Sequence, residues 1–141
     1  IYVQRWNAEG QPSWGAQGVK VVAKGPFLSL APGENPGEAL IAWPQHVSFL
    51  GRQGASRLRA QKLSAEGAPA WETGGAAFTA LEPVSVGTPL IVADGNGGAW
   101  VAWTAGPSSG GTFNDATYIQ RIGPDGQPLW GAVGIKLSAL R

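Results

Sequence analysis

Apolar and polar positions alternate from the first residues onward: Tyr2, Gln4 and Trp6 fall on one side, Val3 and Arg5 on the other. A period of two predicts a β-strand. The same alternation returns at 118–122, where Tyr118, Gln120 and Ile122 oppose Ile119 and Arg121. Behind each strand comes a turn, Asn7-Ala8-Glu9-Gly10, Ser64-Ala65-Glu66-Gly67 or Gly123-Pro124-Asp125-Gly126. Its terminal glycine predicts a hairpin loop with a positive φ angle. A second strand then runs from a tryptophan through Gly18-Val19-Lys20-Val21-Val22 or Gly134-Ile135-Lys136-Leu137. Pro12, Pro69 and Pro128 stand just ahead of it, at an edge or a strand entrance where a missing N–H does least harm.

This hairpin is written three times, over residues 1–22, 58–79 and 118–139. Gln4, Gln61 and Gln120 lie 57 and then 59 positions apart, and one register also carries Gly10, Gly67 and Gly126; Trp14, Trp71 and Trp130; and Gly18, Gly75 and Gly134. Such a repeat predicts one supersecondary unit copied and packed against its neighbours. A second signature sits between the copies. Ala39-Leu40-Ile41-Ala42-Trp43 matches Ala99-Trp100-Val101-Ala102-Trp103, and a run without polar positions predicts a strand buried on both faces. Another apolar strand precedes each, over 27–31 and 89–93, and a loop is expected after each, over 44–57 and 104–117.

The unit is therefore four antiparallel strands, two apolar and two amphipathic. That is the pattern of a β-propeller blade, with buried inner strands and wetter outer ones. The fold expected is all-β: an outer half-blade over 1–25, a complete blade over 26–82 and another over 83–141. Two and a half blades do not close a ring, which takes about four to eight. Further blades in cis or trans, or a protein partner, are expected to cover the open edges.

The chain resembles the glycine- and tryptophan-rich propeller repeats of large secreted bacterial proteins. The likeness is carried by Asp94-Gly95-Asn96-Gly97-Gly98 ahead of Ala102 and Trp103, by Ile1-Tyr2 and Gln4-Arg5 with Tyr118 and Gln120-Arg121, and by Gly10, Trp14 and Gly18 with Gly126, Trp130 and Gly134. It implies an architecture and an extracellular or cell-surface setting rather than a reaction. The middle copy departs from it. Arg59 stands in place of the tyrosine, Glu72 replaces the glycine after tryptophan, and Asp94 has no equivalent in the turn 32–37.

Composition narrows the function classes. Only 13% of residues are charged, too few for a disordered tail, and a net charge of +1 with scattered Lys and Arg leaves no nucleic-acid footprint. No apolar stretch is long enough for a membrane span. Without cysteine there are no disulfides, thiolate metal sites or cysteine nucleophiles. A chain that lacks Met and opens on Ile1 inside a motif is expected to be processed, trimmed or part of a longer protein.

Candidate chemistry is sparse. Trp14, Trp71 and Trp130 are expected between blades, Trp43 and Trp103 in the core. The side-chain amides of Gln4, Gln61 and Gln120 are expected to tie a strand to the adjacent blade. Trp6 and Trp100 have no counterparts in the other copies, so they are binding candidates, as is His46, the single histidine, in the loop 44–57. The turn 94–98 has one carboxylate, too few for a calcium loop, and reads as an Asx-type turn. No phosphate loop, dinucleotide fingerprint or zinc motif occurs, and no nucleophile elbow. The reading is a non-catalytic structural scaffold or protein-interaction module without cofactor or metal. A carbohydrate-binding, lectin-like propeller is the alternative, and part of a propeller hydrolase a weaker one.

Overall fold

In the computed structural model, residues 1–21, 28–49, 52–79, 84–107 and 116–139 are described. They form eleven strands and no helix: β1 (Tyr2–Val3), β2 (Val19–Lys20), β3 (Ser29–Pro32), β4 (Ala39–Phe49), β5 (Arg52–Leu63), β6 (Ala76–Thr79), β7 (Val84–Val86), β8 (Leu90–Ala93), β9 (Ala99–Pro107), β10 (Ala116–Ile122) and β11 (Ile135–Ala139). All pairings are antiparallel.

Three sheets follow one another along the chain. The first is the β1–β2 hairpin alone; the second has the order β3-β4-β5-β6. In the third, β11-β10-β9 is completed by β7 and β8, which both pair with β9. Val84–Val86 faces residues 105–107 and Leu90–Ala93 faces residues 99–102, so the two lie along one edge and the sheet is four strands wide. In the second and third sheets the repeated hairpin is thus one half of the sheet, and each A-W run is the strand beside it. The expected strand 27–31 begins at Ser29 in the described residues; Phe27 lies outside them.

One expectation is corrected. The loop predicted at 44–57 is largely strand, because β4 and β5 run on as a long hairpin in which Gln45 pairs with Arg57 and His46 with Ser56. Pro44 disguised it. In an inner strand a proline argues against sheet structure, but among the described residues β3 pairs with β4 only as far as Ala42, and Pro44 pairs with Leu58 of β5. The tip of this hairpin, and most of the loop expected at 104–117, fall outside the described residues.

The alternation decides which sheets meet. Pairing places Ile41, Trp43, Gln61 and Leu63 on one face of the second sheet, and Leu40, Ala42, Leu58 and Ala60 on the other. The first set packs with Val3 and Trp14 of the first sheet. The second set, with Ala76 and Phe78, packs against Ile91, Val101, Trp103 and Ile122 of the third sheet. Each sheet therefore turns its glutamine face back to the preceding sheet and its opposite face forward. Phe78 and Trp103 meet across the larger core with ring centroids 5.4 Å apart.

Candidate functional site

The repeated residues build a joint between successive sheets. Trp14 Nε1 of the first hairpin donates to the Ala65 carbonyl in the turn of the second, at 2.8 Å. Trp71 Nε1 donates to the Pro124 carbonyl in the turn of the third, at 3.1 Å. Ala65 and Pro124 are the same position of the turn. Each indole also lies against the glycine that closes it: a Cβ built on Gly67 would come within 2.9 Å of Trp14 Cγ, and one on Gly126 within 2.7 Å of Trp71 Cγ. The glycines are needed both for their positive φ and for this close approach. Cations add a second tie. Arg5 Nη1 reaches the Ala65 carbonyl at 3.3 Å, and Lys62 Nζ reaches the Gly97 carbonyl of the next sheet at 3.3 Å. The Gly97 amide in turn donates to the Glu34 carboxylate of the sheet before it.

The glutamines act differently from expectation. Gln61 Nε2 donates to the Glu72 carbonyl at 3.1 Å, and Gln61 Oε1 accepts from the Lys62 and Trp71 amides at 2.9 and 3.1 Å. Gln4 and Gln120 repeat this with the carbonyls of Gly15 and Gly131 and the amides of Trp14 and Trp130. The amide ties the two arms of its own hairpin together, and not a strand to the adjacent sheet. It sets where the tryptophan leaves the backbone, and so aims the indole at the next turn.

Inner hairpins carry a carboxylate brace. Asp94 Oδ1 accepts from the Asn96 and Gly98 amides, both at 2.9 Å, which is an Asx turn. Asp94 Oδ2 pairs with Arg121 Nη2 at 2.8 Å, and the carboxylate is only 1% exposed. Burial pushes the Asp94 carboxyl up, but the Asn96 amide, Arg121 and the Gly98 amide outweigh it and hold the group below the ordinary carboxylate value. The second sheet keeps the brace after all. Glu38, just beyond the turn 32–37, accepts from the Asn35 amide at 3.1 Å and pairs with Lys62 Nζ at 3.2 Å. Its carboxyl is also lowered, with Asn35 and Lys62 overcoming the effect of burial. The longer side chain replaces that of Asp94 from a shifted position, which a search of 32–37 misses.

Both ends of the stack are open in the described residues. At the front, Trp130 is only half-buried, whereas Trp14 and Trp71 are 7% and 5% exposed. Its ring tilts on Trp100 at a centroid distance of 5.0 Å, and the Arg121 guanidinium stands 5.2 Å over Trp100. Around them Leu90, Val92, Ile135 and Leu137 are exposed, Leu90 by 68%. Trp100 takes the place that Leu40 fills in the second sheet, where the third sheet buries it. At the back, Tyr2 and Trp6 are exposed by 58% and 61%, and nothing lies within 4 Å of a Cβ built on Gly10. Beside β1 a cleft of about 280 Å³ is lined by Val3, Arg5, Trp14, Leu30 and Glu38.

Of the sequence-derived candidates, Trp6 and Trp100 lie on the first and third sheets, at opposite ends of the stack, and form no common site. His46 belongs to β4, and its side chain lies outside the described residues. Among the described residues no three His, Asp or Glu side chains cluster to hold a metal, and no helix is long and apolar enough to cross a membrane. Sequence reasoning assigned Trp130 to the scaffold. What singles it out is visible only in the structure: Trp14 and Trp71 each donate to a following turn, and among the described residues Trp130 meets none. Compared with protein-family models, curated proteins and solved structures, the chain matches none.

Proposed function

We propose that this chain is a segment of a β-propeller, each four-stranded sheet one blade, and that it works outside the cell or at its surface as a non-catalytic scaffold or protein-interaction module. The observation that carries this reading is the joint itself. The same indole, turn carbonyl and glycine recur at both contacts between sheets. Sheets stacked through one repeated contact are related by one repeated rotation, which is how blades succeed each other. The unmet halves of that joint, at Trp130 and at Gly10, are its binding surfaces.

A carbohydrate-binding reading draws on the Trp100–Trp130–Arg121 group, since indole faces and a cation suit sugar recognition. The register favours protein instead: Leu40 at the Trp100 position is packed under a neighbouring sheet. A glycan array should accordingly be silent, with tryptophan emission unchanged on adding sugars.

The scaffold reading is tested by extension. A tandem protein with a second copy of residues 83–141 fused after Arg141 places a fourth sheet on the open third one. Repeat stability is a sum of unit and interface terms, so the tandem should unfold cooperatively and at a higher temperature than the parent. An unchanged midpoint, or two separate transitions, would contradict it.

A further inference from the structure

We infer that a second copy of this chain is the partner of the open third sheet, docking head to tail with its turn 7–10 seated on Trp130. The inference rests on the scaffold reading above and names its partner.

The two free ends are the two halves of a contact the molecule already makes twice. Trp14 and Trp71 each donate an indole N–H to the second residue of a turn and cover that turn's glycine. Trp130 is the third such donor, held by the same amide bond to Gln120 Oε1 at 3.0 Å. Among the described residues its indole N–H has no acceptor. Ala8 and Gly10 are the matching acceptor: the Ala8 carbonyl accepts no hydrogen bond from a described residue, and the space over Gly10, filled by tryptophan at Gly67 and Gly126, is empty. Gly10 has φ 74°, against 85° and 82° at Gly67 and Gly126, so the turn already has the bound conformation.

The faces match as well as the atoms. The third sheet offers its forward face, with Ile135 exposed on β11 opposite Ile119, as buried Ala76 stands opposite Ala60 in the second sheet; Leu137, also exposed, lies at a bulge in the β10–β11 pairing. The first sheet offers its glutamine face, with Tyr2 and Trp6 exposed. Within the chain, forward face meets glutamine face at both contacts. The first sheet is a two-stranded hairpin, so a docked copy covers the β10–β11 half of the third sheet. Such a contact joins unlike surfaces and leaves both free ends available again, so it propagates beyond a dimer.

The test is sedimentation equilibrium from micromolar to near-millimolar protein, with two variants and their mixture. Trp130→Ala removes the donor and keeps the turn. Gly10→Asn keeps Trp130 and fills the seat with a residue that tolerates a positive φ. Wild-type protein should show a weight-average mass that rises with concentration past the dimer. Each variant alone should stay monomeric. Their equimolar mixture should form a dimer and stop there, because one intact donor meets one intact turn. The Gly10→Asn arm stands by itself if Trp130→Ala does not fold.

A wild-type protein that stays monomeric throughout, a variant that associates like wild type, or a mixture that stays monomeric or grows past the dimer overturns the inference. If the wild type is monomeric while the tandem extension is stabilised, only this inference fails. If the tandem is not stabilised, the scaffold reading fails with it.

Discussion

Gly126 and Gly10 occupy the same position of the same turn and should respond differently to one methyl group. Both have positive φ, so alanine costs each about 1–2 kcal/mol of backbone strain. Only at Gly126 does the new Cβ meet the Trp71 ring, at 2.7 Å. Gly126→Ala should therefore lose about 1–3 kcal/mol more than Gly10→Ala, the range for overpacking a filled site, as read by urea unfolding. The glutamines make a second graded pair. Gln120 is fully buried with all three bonds made, while Gln4 is half-exposed. Leucine at 120 strands two amides and a carbonyl, and should cost about 3 kcal/mol or more at about 1–3 kcal/mol per unpaired buried group. Water can replace the lost bonds at position 4, so Gln4→Leu should cost clearly less in the same measurement.

Among the described residues, the hairpins connecting inner strands hold the two carboxyls that acid should unsettle. Asp94 and Glu38 have carboxyls lowered in the folded protein. The stability they contribute is thus present above the ordinary carboxylate value of about 4 and is lost as pH falls through the lower folded value. Asp94→Asn should reduce stability at neutral pH and flatten the loss as pH falls below about 4, followed by thermal unfolding across the acid range. An equally steep acid loss in the variant would contradict this role. At this scale the sequence was informative where alternation is clean. Tyr2–Val3 and residues 118–122 announced their strands, and the unbroken 39–43 and 99–103 runs announced inner ones. It was uninformative where a strand projects past its neighbours. Residues 44–49 and 52–57 carry neither a clean period of two nor an apolar run, so the pattern that marks the other strands is missing there. The brace was half legible: Asp94 was visible as a turn former, but Glu38 supplies the same carboxylate from outside the turn.

The whole molecule is a row of sheets joined by one repeated contact, and that contact was only partly readable. Five positions in register showed that a unit is copied, and placed tryptophan between units. Direction was hidden. Nothing in the spacing says that each indole reaches forward to the next turn while each glutamine stays within its own hairpin, because both follow from which arm of the hairpin lies nearer the neighbour. Direction is what makes the two ends different and complementary. The most direct test is hydrogen exchange of the seven indole N–H groups, assigned by tryptophan substitution in nitrogen-15 spectra. In dilute protein the Trp14 and Trp71 indoles should exchange slowly and Trp130 fast, with Trp130 becoming protected as concentration rises. A Trp130 signal as protected as that of Trp71 in dilute solution, or Trp14 and Trp71 exchanging as fast as exposed Trp6, would contradict the account.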